Sequence, residues 1–90
     1  MNSHVTRRFR EHLAALPASV QRQARADNRL FREHPDHPSL GFKPVHGNDP
    51  TLWSIRIGLH YRAQCTRERD ILLWFWIGSD AAYDRLLRRA

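Results

Sequence analysis

Ninety residues predict one domain spanning positions 1–90, which on folding buries only ~60–65% of the surface its unfolded chain exposes. A hydrophobic fraction of 41% with nine aromatics excludes wholesale disorder, and the single cysteine, Cys65, excludes an intrachain disulfide and a cysteine-built zinc site. The net charge of +6 rests on fourteen arginines and one lysine, Lys43, a makeup suited to bidentate contact with phosphate or carboxylate, although an arginine-rich proteome explains the same count without a ligand.

Charge appears early, at Arg7, Arg8 and Arg10, and the first residues lack the apolar run of a secretory signal. No stretch approaches the ~18 consecutive apolar residues of a membrane span. A cytoplasmic setting without membrane contact is therefore expected. Val5, Phe9, Leu13 and Leu16, spaced by four, four and three, predict a helix over 5–16, capped by Ser3 or Thr6 and ended by Pro17. A second helix is predicted from Pro17 or Ala18 to Glu33. It carries Val20, Ala24 and Phe31 on one arc and Arg22, Arg25, Arg29 and Arg32 on another. The short break between them favours an antiparallel pair.

His34-Pro35-Asp36-His37-Pro38 cannot continue a helix and reads as a stiff connector. A short strand is predicted over 40–45, confined to an edge by Pro44, and His46 to Pro50 form a turn. Strands over 52–57 and 59–65 follow, then the polar loop 66–70. The run Ile71 to Ile77 has no polar side, so it is expected inside a sheet and covered on both faces. Ser79 or Asp80 caps a closing helical turn or two. The expected fold is α+β: an N-terminal helical hairpin packed on a four-stranded antiparallel sheet, with a short C-terminal helical turn.

Strand parity places Trp53, Ile55 and Ile57 opposite Ser54 and Arg56. It likewise sets Leu59, Tyr61, Ala63 and Cys65 against His60, Arg62 and Gln64. Arg56, His60 and Arg62 then form a cluster that suits a phosphate better than a core. Cys65, on the apolar side, reads as a core filler rather than a nucleophile.

Four motifs in register resemble the RelE/ParE toxin superfamily of bacterial type II toxin–antitoxin systems. They are His34-Pro-Asp-His-Pro-Ser-Leu-Gly-Phe-Lys43, Trp53-Ser-Ile-Arg-Ile-Gly58, Tyr61-Arg62-Ala63, and Trp74-Phe-Trp-Ile-Gly-Ser79 with Tyr83-Asp84. The resemblance implies a small basic toxin neutralised by a cognate antitoxin encoded beside it. Members resembling RelE cleave messenger RNA, often on the ribosome, without a metal; members resembling ParE poison DNA gyrase. Metal-free RNA cleavage needs a base for the 2′-hydroxyl, cations for the phosphorane and an acid for the 5′-oxygen. Arg56 and Arg62 are the candidate cations, and Lys43, His60 and Tyr83 the candidate proton-transfer groups. Arg62 and Tyr83 match positions that resemble functional arginine and C-terminal tyrosine sites of RNA-cleaving relatives. No cofactor is implied. Similar sequences lead one to expect a histidine where this chain has Asp80, and a carboxylate, ionised near neutral pH, donates no proton. That departure leaves room for a gyrase inhibitor, or for a non-toxic basic module that engages only an antitoxin or RNA.

Each signal has a plainer reading. Arg56 and Arg62 also suit the solvent face of a sheet, paired with Glu68 or Asp70 across strands. The stripe Arg22, Arg25, Arg29 and Arg32 is more simply a solvated helix face; if functional, it contacts RNA or an acidic antitoxin. Trp74 and Trp76 read as core residues before base-stacking platforms, and Tyr83 serves equally as an anchor for the C-terminal turn. His34, His37 and His46 lack helical metal-site spacing, so no metal is expected. The resemblance also suggests where an antitoxin docks. A helical stripe would enter a groove between the N-terminal helices and the sheet, with the second-helix arginines on one rim.

Overall fold

In the computed structural model, which describes residues 1–88, side-chain chemistry marks where the N-terminal helices start and stop. Thr6 caps α1 (Arg7–Ala14): its Oγ1 accepts the Phe9 N–H at 3.0 Å. Pro17 stands at the N-cap of α2 (Ala18–Glu33), where its missing N–H costs nothing. Gln21 ties the two helices, donating to the Leu16 carbonyl at 3.0 Å. Pro38–Leu40 form one 3-10 turn, capped by His37, whose Nδ1 accepts from the Ser39 N–H at 3.2 Å.

The sheet has five strands rather than the expected four, and it is mixed. They are β1 (Asn2–Val5), β2 (Lys43–Pro44), β3 (Leu52–Ile57), β4 (Tyr61–Glu68) and β5 (Ile71–Ser79), in the order β1-β5-β4-β3-β2. The added strand is β1, which pairs in parallel with β5 from Asn2↔Ile71 to Val5↔Trp74. Val5 therefore belongs to a strand and not to the first helix. Leu40 lies in the 3-10 turn, so the expected strand over 40–45 shrinks to Lys43 and Pro44. His60 lies in the turn between β3 and β4, so β4 starts at Tyr61. The closing turn is a nine-residue helix, α3 (Asp80–Arg88). Arg89 and Ala90 lie outside the described residues.

One face of the sheet packs on α1 and α2. Phe31 of α2 meets Phe42 edge-on at 4.9 Å and Trp74 at 5.9 Å. Around them lie Leu40, Ile55, Ile57, Ala63, Cys65, Leu72 and Ile77, with Phe9 and Leu13 of α1 packed alongside. A bulge explains how one strand supplies Leu72, Trp74 and Ile77 to the same face. Gln64 is opposite Trp76 while Cys65 is opposite Trp74, leaving Phe75 as an extra residue in β5. The second face is covered only partly, by α3. Ile71 and Leu73 remain 53% and 40% exposed, so β5 is not sheltered on both sides along its whole length.

Two local devices fix the β3–β4 turn. Gly58 adopts φ +58°, a region open to glycine at little cost, and its N–H donates to Asp27 Oδ2 at 2.9 Å. Asp27 thereby ties α2 to the turn. No helix among the described residues is long and apolar enough to cross a membrane.

Candidate functional site

Pairing register decides which side chains share the α3 face. Lys43, Ser54, Gln64 and Trp76 form one row across β2 to β5, and Arg56, Arg62 and Gly78 form the next. Over these rows lies α3. Its Tyr83 is 8% exposed, with the ring 6.0 Å from that of Trp76. Gly78 gives the Trp76 indole room to lie flat, because a Cβ there would stand 2.7 Å from the ring.

Between α3 and the β2 edge opens a cleft of about 400 Å³. Its walls include Lys43 and His46 on one side and Arg62, Asp80, Tyr83 and Asp84 on the other. Three of the five candidate catalytic residues, Lys43, Arg62 and Tyr83, are thus brought together from three separate elements. The Arg62 guanidinium sits 5.4 Å from the centre of the Tyr83 ring, within cation–π range, and its Nε is 3.5 Å from Asp80 Oδ1. The Arg62 side chain is 19% exposed and that of Asp80 46%, so the pair closes on a half-open wall of the cleft.

The other two candidates stand apart. Arg56 is directly across from Arg62 on the same face but is exposed and does not line the cleft. His60 is exposed in the turn, and what it gives the site is backbone: its carbonyl accepts the Asp80 N–H at 2.8 Å, fixing the first residue of α3. His46 is the cleft residue that sequence reasoning left in a turn. The signal for it was the edge strand itself, since Val45 extends the pairing of β2 by donating its N–H to the Leu52 carbonyl. Arg22, Arg25, Arg29 and Arg32 are all exposed on α2.

Of these four, Arg25 reaches a second concavity. A hollow of about 360 Å³ lies between the helical hairpin and the sheet, floored by Phe31, Ile55 and Trp74, with Arg10 and Arg25 among its lining. Cys65 is fully buried and burial pushes its thiol up to about 12, so it stays protonated and unreactive. Among the described residues, no group of three His, Cys, Asp or Glu side chains gathers to hold a metal.

In fold the chain resembles a chain of the RelB–RelE antitoxin–toxin complex from Methanococcus jannaschii, with a TM-score of 0.69, 16% identity and coverage of 90% of this chain and 95% of that one. It is similar to a chain of the Escherichia coli DinJ–YafQ toxin–antitoxin complex, with a TM-score of 0.70, 10% identity and coverage of 90% and 93%. It also resembles the isolated Escherichia coli RelE toxin, with a TM-score of 0.64, 15% identity and coverage of 98% and 96%. No curated protein matches the sequence significantly. The model of the ParE-like toxin domain matches residues 18–85, from the start of α2 to within α3. Most of the chain is therefore accounted for, and it belongs to the ParE-like toxin family within the RelE/ParE toxin superfamily.

Proposed function

We propose that this protein is the toxin component of a type II toxin–antitoxin system and that it acts in the cytoplasm as a metal-independent endoribonuclease on ribosome-bound messenger RNA. The observation that carries the reading is the convergence of Lys43, Arg62 and Tyr83 in one cleft. In this reaction the 2′-oxygen attacks the adjacent phosphorus, the P–O5′ bond breaks, and a 2′,3′-cyclic phosphate is left. Arg62 is positioned to stabilise the charge that builds on the non-bridging oxygens. Lys43 supplies a second cation from the opposite wall. His46 and Tyr83 are the cleft groups that can pass a proton to or from the sugar oxygens. Asp80 pairs with Arg62 and takes no proton-donor role.

Purified protein incubated with messenger RNA and ribosomes in excess chelator is expected to cut the message, and Arg62→Ala to slow the cutting. Intact message with active ribosomes would sink the nuclease reading. A second reading, non-hydrolytic inhibition of DNA gyrase, is favoured by the ParE-like family match and by Asp80 at the position where a histidine is expected. Inducing the chain in cells separates the two: rapid loss of messages supports the first, and a DNA-damage response with stable messages the second.

The RelE and YafQ structures include complexes with RelB and DinJ, and we propose that a cognate antitoxin likewise neutralises this chain. The hollow between hairpin and sheet suits the apolar stripe of a folding tail, and Arg10 and Arg25 suit acidic residues flanking that stripe.

A further inference from the structure

Arg62 faces several charged groups: Lys43 and His46 across the cleft, Arg56 on the neighbouring strand, and Asp80 and Asp84 on α3. Only Asp80 forms an ion pair with it among the described residues, at 3.5 Å. Asp80 is held in place by its own backbone, whose N–H donates to the His60 carbonyl at 2.8 Å. The main chain at Asp80 is therefore set beside Arg62 independently of the ion pair. Arg62 is equally fixed, between the sheet and the ring of Tyr83.

We propose that Asp80 is a built-in competitor for the anion that this cleft takes: its carboxylate occupies Arg62 as a phosphodiester does, and lowers the affinity of the site for single-stranded RNA. The proposal rests on the reading of the cleft as an RNA site. A carboxylate and a phosphate present the same kind of acceptor oxygens to a guanidinium, so both cannot hold the same N–H groups at once. A phosphate that takes the Nε edge of Arg62 must displace the Asp80 carboxylate from it. Because that pair is already neutralised, less counterion is released when RNA binds than a free arginine would allow. Asp80 thus acts through Arg62 as a positioning residue that tunes occupancy, and takes no part in the chemistry.

The test uses a short single-stranded RNA blocked at every 2′-oxygen, so that it binds without being cut. Its affinity is measured across a range of salt concentrations for the full chain and its variants. Asp80→Asn is nearly isosteric and keeps the backbone bond to His60. It is expected to bind roughly 1.5- to fivefold more tightly, since partly exposed ion pairs contribute at most about 1 kcal/mol. Its salt dependence should steepen by about one contact, a slope change of roughly 0.7. Asp80→Glu keeps the charge and is expected to restore wild-type affinity and slope. Asp84→Asn removes a charge from the same cleft without touching the pair, and is expected to change binding less than Asp80→Asn. In an Arg62→Gln background, Asp80→Asn should gain nothing. If the RNA binds and Arg62→Gln weakens it, while Asp80→Asn matches Asp84→Asn or binds more weakly than wild type, the competitor role is overturned and the cleft keeps its RNA assignment. If neither the wild type nor Asp80→Asn binds the RNA, both readings fall together.

Discussion

Arg62 and Arg56 carry the same charge on the same sheet face, yet their surroundings separate them. Arg62 is confined by Tyr83 and Asp80 in the cleft, whereas Arg56 is exposed beside it. A charge-assisted contact to phosphate contributes about 1.5–3 kcal/mol, so Arg62→Ala is expected to lower the cleavage rate by roughly ten- to 150-fold. Arg56→Ala is expected to cost much less. Rate measurements on both folded variants check this, and equal losses would place Arg56 in the site too. Cys65 gives an expectation for alkaline pH. An unfolded thiol titrates near 8.5, while burial holds the folded one up to about 12. Between these values the unfolded chain binds fewer protons than the folded one, so stability falls as pH rises, by at most about 1.4 kcal/mol per pH unit. Below that window the contribution is fully present. Cys65→Ala is expected to flatten this limb in denaturant titrations at pH 9 to 11. Gln64 is 2% exposed and its Nε2 has no hydrogen-bond partner among the described residues. It stands on the same row as Lys43 and Trp76, and the structure offers no reason for an amide there.

Two turns show how elements are held, and each suggests a measurement. Asp27 links α2 to the β3–β4 turn by one bond from the Gly58 N–H, and Gln23 steadies its other oxygen at 3.0 Å. Asp27→Ala is expected to cost about 1.5–3 kcal/mol in denaturant unfolding and to speed amide exchange at Gly58. The β4–β5 hairpin instead turns at Arg69, a non-glycine residue at φ +57°, a conformation disfavoured by about 1–2 kcal/mol. Arg69→Gly is expected to recover part of that as a higher melting temperature. Helix α2, strand β3 and the interior place of β5 were legible because side-chain periodicity is a local signal. β1 was not legible: Asn2 to Val5 are all exposed and alternate in nothing, and their strand state comes from backbone bonds to residues far along the chain. The Phe75 bulge was hidden because Ile71 to Ile77 offers no polar residue to reveal a change of parity. Lys43, Arg62 and Tyr83 stood out through motif resemblance, while their gathering in one cleft depends on register. His46 stayed hidden because it lies just beyond β2, an edge strand only two residues long, whose signal says where the strand runs but not which later side chain reaches the cleft.

At the scale of the whole molecule, the two concavities lie on opposite faces of the sheet. The cleft lies under α3, and the hollow under α1 and α2. An antitoxin seated in the hollow therefore need not touch Arg62 to bind. Arg10 and Arg25 are exposed, and rim charges govern association more than dissociation. Reversing both to glutamate is expected to slow antitoxin association at low salt and to leave the off-rate nearly unchanged, as stopped-flow mixing would show. Association indifferent to both reversal and ionic strength would reduce these arginines to a solvated surface. Finally, the parallel pairing of β1 with β5 has a bearing on how the protein comes into being. Strand β1 must wait for the last strand of the sheet, because Asn2 to Val5 have no partner until Ile71 to Trp74 exist. The walls of the cleft are spread just as widely, from Lys43 to Tyr83. Contacts so distant in sequence form late and slowly. A chain still being synthesised thus carries most of its arginines before it has a site, because the cleft cannot assemble until Tyr83 has been made.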